Sequence, residues 1–194
     1  MHTWHITASR TVVHDRWIHL RADSCVTPSG HTITPYYVLG YPDWVNCLVV
    51  DGNGDVVMVR HYRHGIGGSV LELVGGAVEQ TDSSPRAAMW RELVEEIGYT
   101  GGQLYQTGVC FPNPANQANR AYSFIAVGGT CDVQPRLEVG EDLHVEKVPF
   151  VEFVEVFGQG HETYQALHLA NVSLALQFLR RTEVVALHGL KELL

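Results

Sequence analysis

Between Gly75 and Tyr99 the sequence reads Gly-Gly-Ala-Val-Glu-Gln-Thr-Asp-Ser-Ser-Pro-Arg-Ala-Ala-Met-Trp-Arg-Glu-Leu-Val-Glu-Glu-Ile-Gly-Tyr. No other stretch restricts the fold so tightly. Ser83-Ser84-Pro85 offers an N-cap and a first-turn proline, and Gly98 offers a stop, so the intervening residues are predicted to be a helix. At roughly 100° per residue, Glu92, Glu95 and Glu96 fall within about a 100° arc of that helix. Trp90, Leu93, Val94 and Ile97 lie opposite, with Ala87 beside them, and Trp90 reads as core. Like charges at these spacings destabilise a helix by roughly 0.2–0.5 kcal/mol per pair. A divalent cation is the obvious offset.

Chemistry supports that reading. Magnesium and manganese are hard cations that take carboxylate oxygens in near-octahedral sites while keeping several waters. Carboxylates at i, i+3 and i+4 can converge on such ions, and a cation there neutralises a diphosphate and acidifies water. The bland alternative is a solvated acidic face. Gly75-Gly76 before the helix and Gly98 after it weigh against that alternative, because glycine lets backbone carbonyls approach a ligand closely.

The rest of the chain is consistent with one sizeable domain and a small appendage. It has 194 residues, 45% hydrophobic and 18% charged, which suits a folded globule. A formal net charge of −8 argues against nucleic acid or an anionic membrane as partner. Cys25, Cys47, Cys110 and Cys131 form no C-x-x-C pair, so neither zinc nor a disulfide framework is expected. The N-terminus lacks signal-peptide blocks, and no apolar run is long enough to span a membrane; a cytoplasmic protein is expected.

Residues 1–42 read as short strands, with a turn at 26–30, and Tyr41-Pro42-Asp43 marks a boundary to a second domain at 43–194. The clearest hairpin joins strands at 45–50 and 56–62 through Asp51-Gly-Asn-Gly-Asp55. Those aspartates mimic the start of a calcium loop, but Val56 and Tyr62 occupy its glycine and glutamate positions, so the segment is read as a turn. Further strands are expected at 70–73, 103–110, 121–127 and 144–148, and helices at 150–156 and 164–181. Irregular interleaving favours a mixed sheet covered by helices over a doubly wound parallel one.

The helix segment resembles the Nudix box, G-x5-E-x7-R-E-U-x-E-E-x-G-U with U a bulky apolar residue. Val57-Met-Val-Arg-His-Tyr-Arg-His-Gly, Leu71-Glu-Leu-Val-Gly-Gly and Asn113-Pro-Ala-Asn-Gln-Ala-Asn-Arg-Ala-Tyr-Ser-Phe-Ile-Ala are similar to stretches of its ADP-ribose pyrophosphatase-like branch. The resemblance implies an α/β fold, a Nudix α/β/α sandwich with a mixed β-sheet, plus a small N-terminal β-sheet subdomain. It also implies Mg²⁺-dependent hydrolysis of ADP-ribose or a related nucleoside diphosphate sugar, with Mn²⁺ as substitute. GDP-mannose, a dinucleoside polyphosphate or coenzyme A are alternative substrates, and a non-catalytic nucleotide-sensing module is the alternative outside enzymes.

Carried over position by position, Glu92, Glu95 and Glu96 match the metal-binding glutamates. The Gly75 carbonyl completes a metal site, and Arg91 buttresses the acidic cluster. Glu141, ahead of Glu138 and Asp142, matches the loop glutamate that orients water. Arg63 matches a diphosphate clamp, with Arg60, Glu72, Asn119 and Arg120 as further substrate-binding candidates. Trp17 and Trp44 could stack on a base or fill a dimer interface. His61 with His64, and His161 with His168, are read as surface or packing residues. The branch resemblance further implies a homodimer that exchanges its N-terminal sheets.

The sequence departs from the pattern. Counting from Gly76, Asp82 stands where the first glutamate belongs, and eight residues rather than seven precede Arg91. Either Asp82 substitutes for that glutamate or Ser83 takes its place after an insertion in the turn. Val74 replaces a usual proline and His61 a common glutamine. Altered turn geometry and reduced activity are expected, with the metal site retained.

Overall fold

The structure is a computed structural model that describes residues 3–137, 142–157 and 164–194. Two compact units emerge, Met1–Asp43 with Cys110–Arg120, and Trp44–Val109 with Ala121–Leu194.

The first unit is an antiparallel meander of β1 (His5–His14), β2 (His19–Val26) and β3 (Thr32–Gly40). Only β2 has buried residues, Ala22, Asp23 and Cys25, whereas every residue of β1 is exposed. Asp23 accepts hydrogen bonds from Ser9 Oγ at 2.6 Å and Arg21 Nε at 3.0 Å. These hold its carboxyl below the usual range against the opposing effect of burial. Residues 111–120 attach to this unit through the Leu39 amide, which donates to Asn116 O at 2.8 Å. The Arg120 amide donates to Asp43 Oδ1 at 2.7 Å.

The second unit begins with β4 (Trp44–Val50), β5 (Asp55–Arg63), β6 (Gly68–Glu72) and β7 (Val74–Ala77), then α1 (Pro85–Ile97). β8 (Tyr99–Thr100), β9 (Gln103–Cys110), β10 (Ala121–Val127), β11 (Thr130–Cys131) and β12 (Leu143–Pro149) follow. α2 (Phe150–Phe157), α3 (Ala166–Arg181), a 3-10 turn at Val185–Leu187 and α4 (His188–Glu192) complete it. The main sheet has the order β12-β5-β4-β10-β9, with β6 on β5 and β7 on β4. It is mixed, because β10 runs parallel to β4 while β5, β7 and β12 pair antiparallel.

Alternation along the central strands splits the core in two. Val45, Cys47, Val49, Val57 and Val59 face Ala88, Met89, Leu93 and Ile97 of α1. Leu48, Val50, Val56 and Met58 face Phe150, Phe153 and Phe157 of α2 and Val172, Ala175 and Leu179 of α3. Burial on both faces explains why β4 reads as a nearly unbroken apolar run. The result is the expected α/β/α sandwich with a mixed sheet and a small antiparallel N-terminal sheet.

One detail of topology positions everything functional. β4 and β5 pair only at Val49–Val57 and Val50–Val56, then diverge. β6 fills in along β5, with Glu72 opposite Val59, and β7 fills in along β4, with Gly75 opposite Asn46 and Gly76 opposite Val45. Leu73 lies between, in neither ladder, with its side chain buried in the α2–α3 core.

Candidate active site

Helix α1 is built as its sequence suggests. The Ser84 hydroxyl accepts from the Ala87 amide at 3.1 Å, Pro85 opens the first turn, and Gly98 closes it at φ 61° in the left-handed region. Glycine is required there by contact as well as by φ, because a Cβ would collide with the Val133 carbonyl.

The acidic face is not a solvated one. Glu92 and Glu96 are buried, at 7% and 5% exposure, because α1 lays them against the Gly75–Gly76 backbone. The Gly75 amide donates to Glu96 Oε2 at 3.2 Å. A Cβ at Gly76 would lie within 2.6 Å of Glu92 Cδ, and one at Gly75 within 2.9 Å of Asn46 Cα. The two glycines are therefore needed for different reasons. Gly75 admits strand β4, and Gly76 admits a carboxylate.

Arg91 organises this face. Its Nη1 donates at 2.9 Å both to Glu92 Oε1 and to Glu95 Oε2, and its Nη2 donates to the Ala77 carbonyl at 2.9 Å. The like-charge cost noted in the sequence is thus offset at least partly from within the chain. Burial works against the Arg91 charge, but Asp82, Glu92 and Glu95 outweigh it and hold the guanidinium well above its ordinary value. Asp82 receives Nε and Nη2 at 3.3 and 3.1 Å, while Ser84 serves as cap. Of the two residues weighed for the first glutamate's place, Asp82 makes the ion pair with Arg91. Its carboxylate also accepts the Glu79 amide at 2.9 Å, which closes the lengthened turn on itself.

A cavity of about 400 Å³ lies at the divergence of β4 and β5. Its lining includes Gly75 and Gly76 of β7, Glu96 of α1, His61 and Arg63 of β5, and Gln165, Leu167 and His168 at the start of α3. Arg63 reaches back to Glu72 in a two-pronged pair, Nε–Oε1 3.0 Å and Nη2–Oε2 2.6 Å. Glu72 is 1% exposed and its partner about half exposed, so one guanidinium both balances a buried carboxylate and presents charge to the cavity.

The other candidates are placed elsewhere. Arg60 is tied across the sheet to Glu146 of β12 at 2.5 and 3.1 Å and does not line this cavity. Asn119 and Arg120 belong to the first unit. Asn119 is buried, and neither atom of its amide has a hydrogen-bond partner among the described residues. Glu138 and Glu141 lie outside the described residues, as does His161. Asp142 is exposed just before β12. Trp90 is half-buried and stacks on Tyr99 with centroids 6.2 Å apart.

Trp44, named from sequence as a residue that could stack on a base, lines this cavity, whereas sequence reasoning missed His61, Gln165 and His168 there. A signal existed for His168. With Asn171 it forms a polar i, i+3 pair on the stripe of α3 that otherwise carries Val172, Ala175 and Leu179. Both are buried. His168 Nδ1 accepts the Leu73 amide at 3.2 Å, and Asn171 Nδ2 donates to the Asn46 carbonyl at 2.8 Å. Burial, aided by Arg63 and opposed by Glu72, pushes the His168 pKa down to about 4.

Among the described residues no three acidic, His or Cys side chains are already drawn together as a cation cage. The carboxylates are instead gathered around Arg91 and Gly75. The donor set nonetheless fits a hard divalent cation: clustered carboxylate oxygens, two of them largely desolvated, against a backbone stripped of Cβ atoms.

Comparison with known proteins agrees with this construction. The NUDIX domain family matches residues 40–170, and the nucleoside diphosphate sugar hydrolase N-terminal domain family matches residues 4–39. The chain belongs to the Nudix family. Within it the chain falls in the ADP-ribose pyrophosphatase-like branch and is a diphosphohydrolase. It is 24% identical over 185 residues to the ADP-ribose pyrophosphatase of Bacillus subtilis (strain 168), covering 92% of this chain and 93% of that protein. It is 31% identical over 97 residues to the ADP-ribose pyrophosphatase of Mycobacterium tuberculosis (strain ATCC 25618 / H37Rv), covering 50% and 46%. The crystal structure of an ADP compounds hydrolase superposes with a TM-score of 0.77 at 17% identity, covering 91% of this chain and 94% of that one. That likeness establishes the shared fold.

Proposed function

We propose that this protein hydrolyses the diphosphate linkage of ADP-ribose or a related nucleoside diphosphate sugar, releasing a nucleoside monophosphate and a phosphorylated sugar. The observation that carries the reading is that buried Glu96 and the Gly75–Gly76 segment line the same cavity as Arg63. Relatives named for ADP-ribose hydrolysis support the choice of substrate class.

Each residue has a task in this scheme. Arg63 holds the diphosphate through its planar donors. Glu92, Glu95 and Glu96, with the Gly75 carbonyl, hold Mg²⁺ or Mn²⁺, which when bound neutralises phosphate charge and lowers the pKa of water. Arg91 fixes the spacing of the glutamates, and Glu141 orients the attacking water. Asn119 and Arg120 serve as contacts to the distal sugar.

The protein works as a cytoplasmic homodimer in this reading, with N-terminal sheets exchanged between copies. Support comes from β1, an edge strand exposed along its whole length that carries exposed Ile6, Val12 and Val13, with exposed Trp4 just before it. No helix among the described residues is long and apolar enough to cross a membrane.

The test is purified protein with Mg²⁺ and a panel of nucleoside diphosphate sugars, dinucleoside polyphosphates and coenzyme A. Turnover of ADP-ribose-type compounds, abolished by EDTA and by Glu96→Gln, is the expected result. No turnover of any compound, with wild type matching Glu96→Gln, would end the claim. Light scattering at micromolar concentration tests the dimer, which a monomer would refute.

A further inference from the structure

We infer that His168 is a positioning residue for the hydrolytic site, acting through the backbone amide of Leu73, which lies in neither ladder of the split sheet. The inference rests on the hydrolase reading above for its kinetic consequence, but not for its structural one.

Leu73 occupies the switch point between two ladders. Glu72 pairs with β5 and Val74 pairs with β4, so neither strand can take the Leu73 N–H. A buried amide without an acceptor is costly, and it would leave the backbone free to shift. His168 Nδ1, brought from α3, supplies the acceptor at 3.2 Å. As an acceptor, Nδ1 carries no proton, which places the ring proton on Nε2.

What lies on either side of Leu73 gives this bond its reach. One residue before it, Glu72 anchors Arg63. Two residues after it, the Gly75 amide grips Glu96. The diphosphate clamp and the acidic helix are thus joined by a four-residue tether whose middle is fixed by one imidazole. Asn171, one turn further along α3, holds the Asn46 carbonyl of β4, opposite Gly75. The same helix therefore pins both sides of the split, and His168 also lines the cavity.

Three substitutions separate the roles. In His168→Asn, Oδ1 takes the place of Nδ1 as acceptor; His168→Leu removes the acceptor and keeps bulk. His168→Ala replaces the leucine variant if that one does not fold, as judged by circular dichroism. The direct readout is amide hydrogen exchange at Leu73, Gly75 and Gly76, followed by NMR. The Leu variant is expected to exchange at these amides about tenfold faster or more, and the Asn variant to remain near wild type. In the hydrolysis assay the Leu variant should lose about 30-fold or more in kcat with KM within about threefold, because the tether aligns groups rather than binding substrate. The Asn variant should recover most of that loss.

Unchanged exchange at Gly75 and Gly76 in a folded acceptor-less variant overturns the inference. So does an Asn variant as impaired as the Leu one. If wild type hydrolyses nothing on the panel, the hydrolase reading fails, while the exchange measurements still decide whether His168 positions this backbone.

Discussion

Asp82 and Arg91 meet through two parallel hydrogen bonds, Nε–Oδ1 at 3.3 Å and Nη2–Oδ2 at 3.1 Å, across a turn one residue longer than the family pattern. The shorter carboxylate arm of aspartate still reaches because the turn folds back, with the Asp82 amide donating to the Glu79 carbonyl at 3.1 Å. Asp82→Ala should lower stability by about 1–2 kcal/mol and reduce kcat, since Arg91 then loses the partner that aims it at Glu92 and Glu95. Thermal melts and steady-state kinetics check this.

Hydrogen bonding from Arg91 holds the Asp82 carboxyl below its ordinary value, against the opposing effect of burial. A depressed carboxylate stabilises the folded state above its unfolded pKa, near 4, and that contribution disappears as pH falls through the folded value. The stability difference between wild type and Asp82→Asn should therefore be constant above about pH 5 and shrink below pH 4. Urea titrations across that range measure it.

His168 titrates in the opposite chemical sense with the same direction of effect. Its folded pKa is lowered by burial from 6.5 to about 4. The unfolded chain takes up the proton first, so stability is full above pH 6.5 and falls between there and pH 4, by about 3 kcal/mol in total. His168→Asn should lack this component, and comparing melting temperatures from pH 7.5 down to pH 4.5 would reveal it.

The paired glycines should respond differently to alanine. At Gly76 the added methyl meets only the end of the Glu92 side chain, which can swing away. Gly76→Ala should fold, with a melting temperature within a few degrees of wild type, and lose activity about 100-fold. At Gly75 the methyl meets β4 backbone. Gly75→Ala should be destabilised by more than about 3 kcal/mol.

The two arginines of β5 form a second contrast. Arg60 and Glu146 are both about two-fifths exposed, so Arg60→Ala should cost under about 1 kcal/mol and leave KM unchanged. Arg63→Ala strands the buried Glu72 carboxylate, and should cost about 2–3 kcal/mol while raising KM. Chemical denaturation and substrate saturation curves distinguish the pair.

Much of this was legible beforehand because local chemistry dictated it. Ser84, Pro85 and Gly98 bounded α1 to the residue, and the strands at Gln103–Cys110 and Ala121–Val127 stand where they are expected. What resisted reading was non-local. The strand expected at 70–73 is two strands, β6 and β7, since nothing in Leu71-Glu-Leu-Val reports that the chain changes neighbours at Leu73. His168 looked like packing because its acceptor role depends on an amide far away in sequence. Arg60 and Arg63 differ in role because three residues along a strand put their side chains on opposite faces, where one meets Glu146 of β12 and the other Glu72 of β6.

The divergence of β4 from β5 has a kinetic corollary. Their shared turn at Asp51–Asp55 closes a local hairpin at once, but only two residue pairs can zip from it. The remainder of β4 waits for β7 and for Ala121–Val127, which reaches it from the far side of α1 and β9. Contacts so distant in sequence form slowly, because loop entropy must be lost before they give any return. Refolding should therefore show protection appearing at Val56–Val59 before Gly75 and Gly76, so that the chain has most of its secondary structure before it has a pocket.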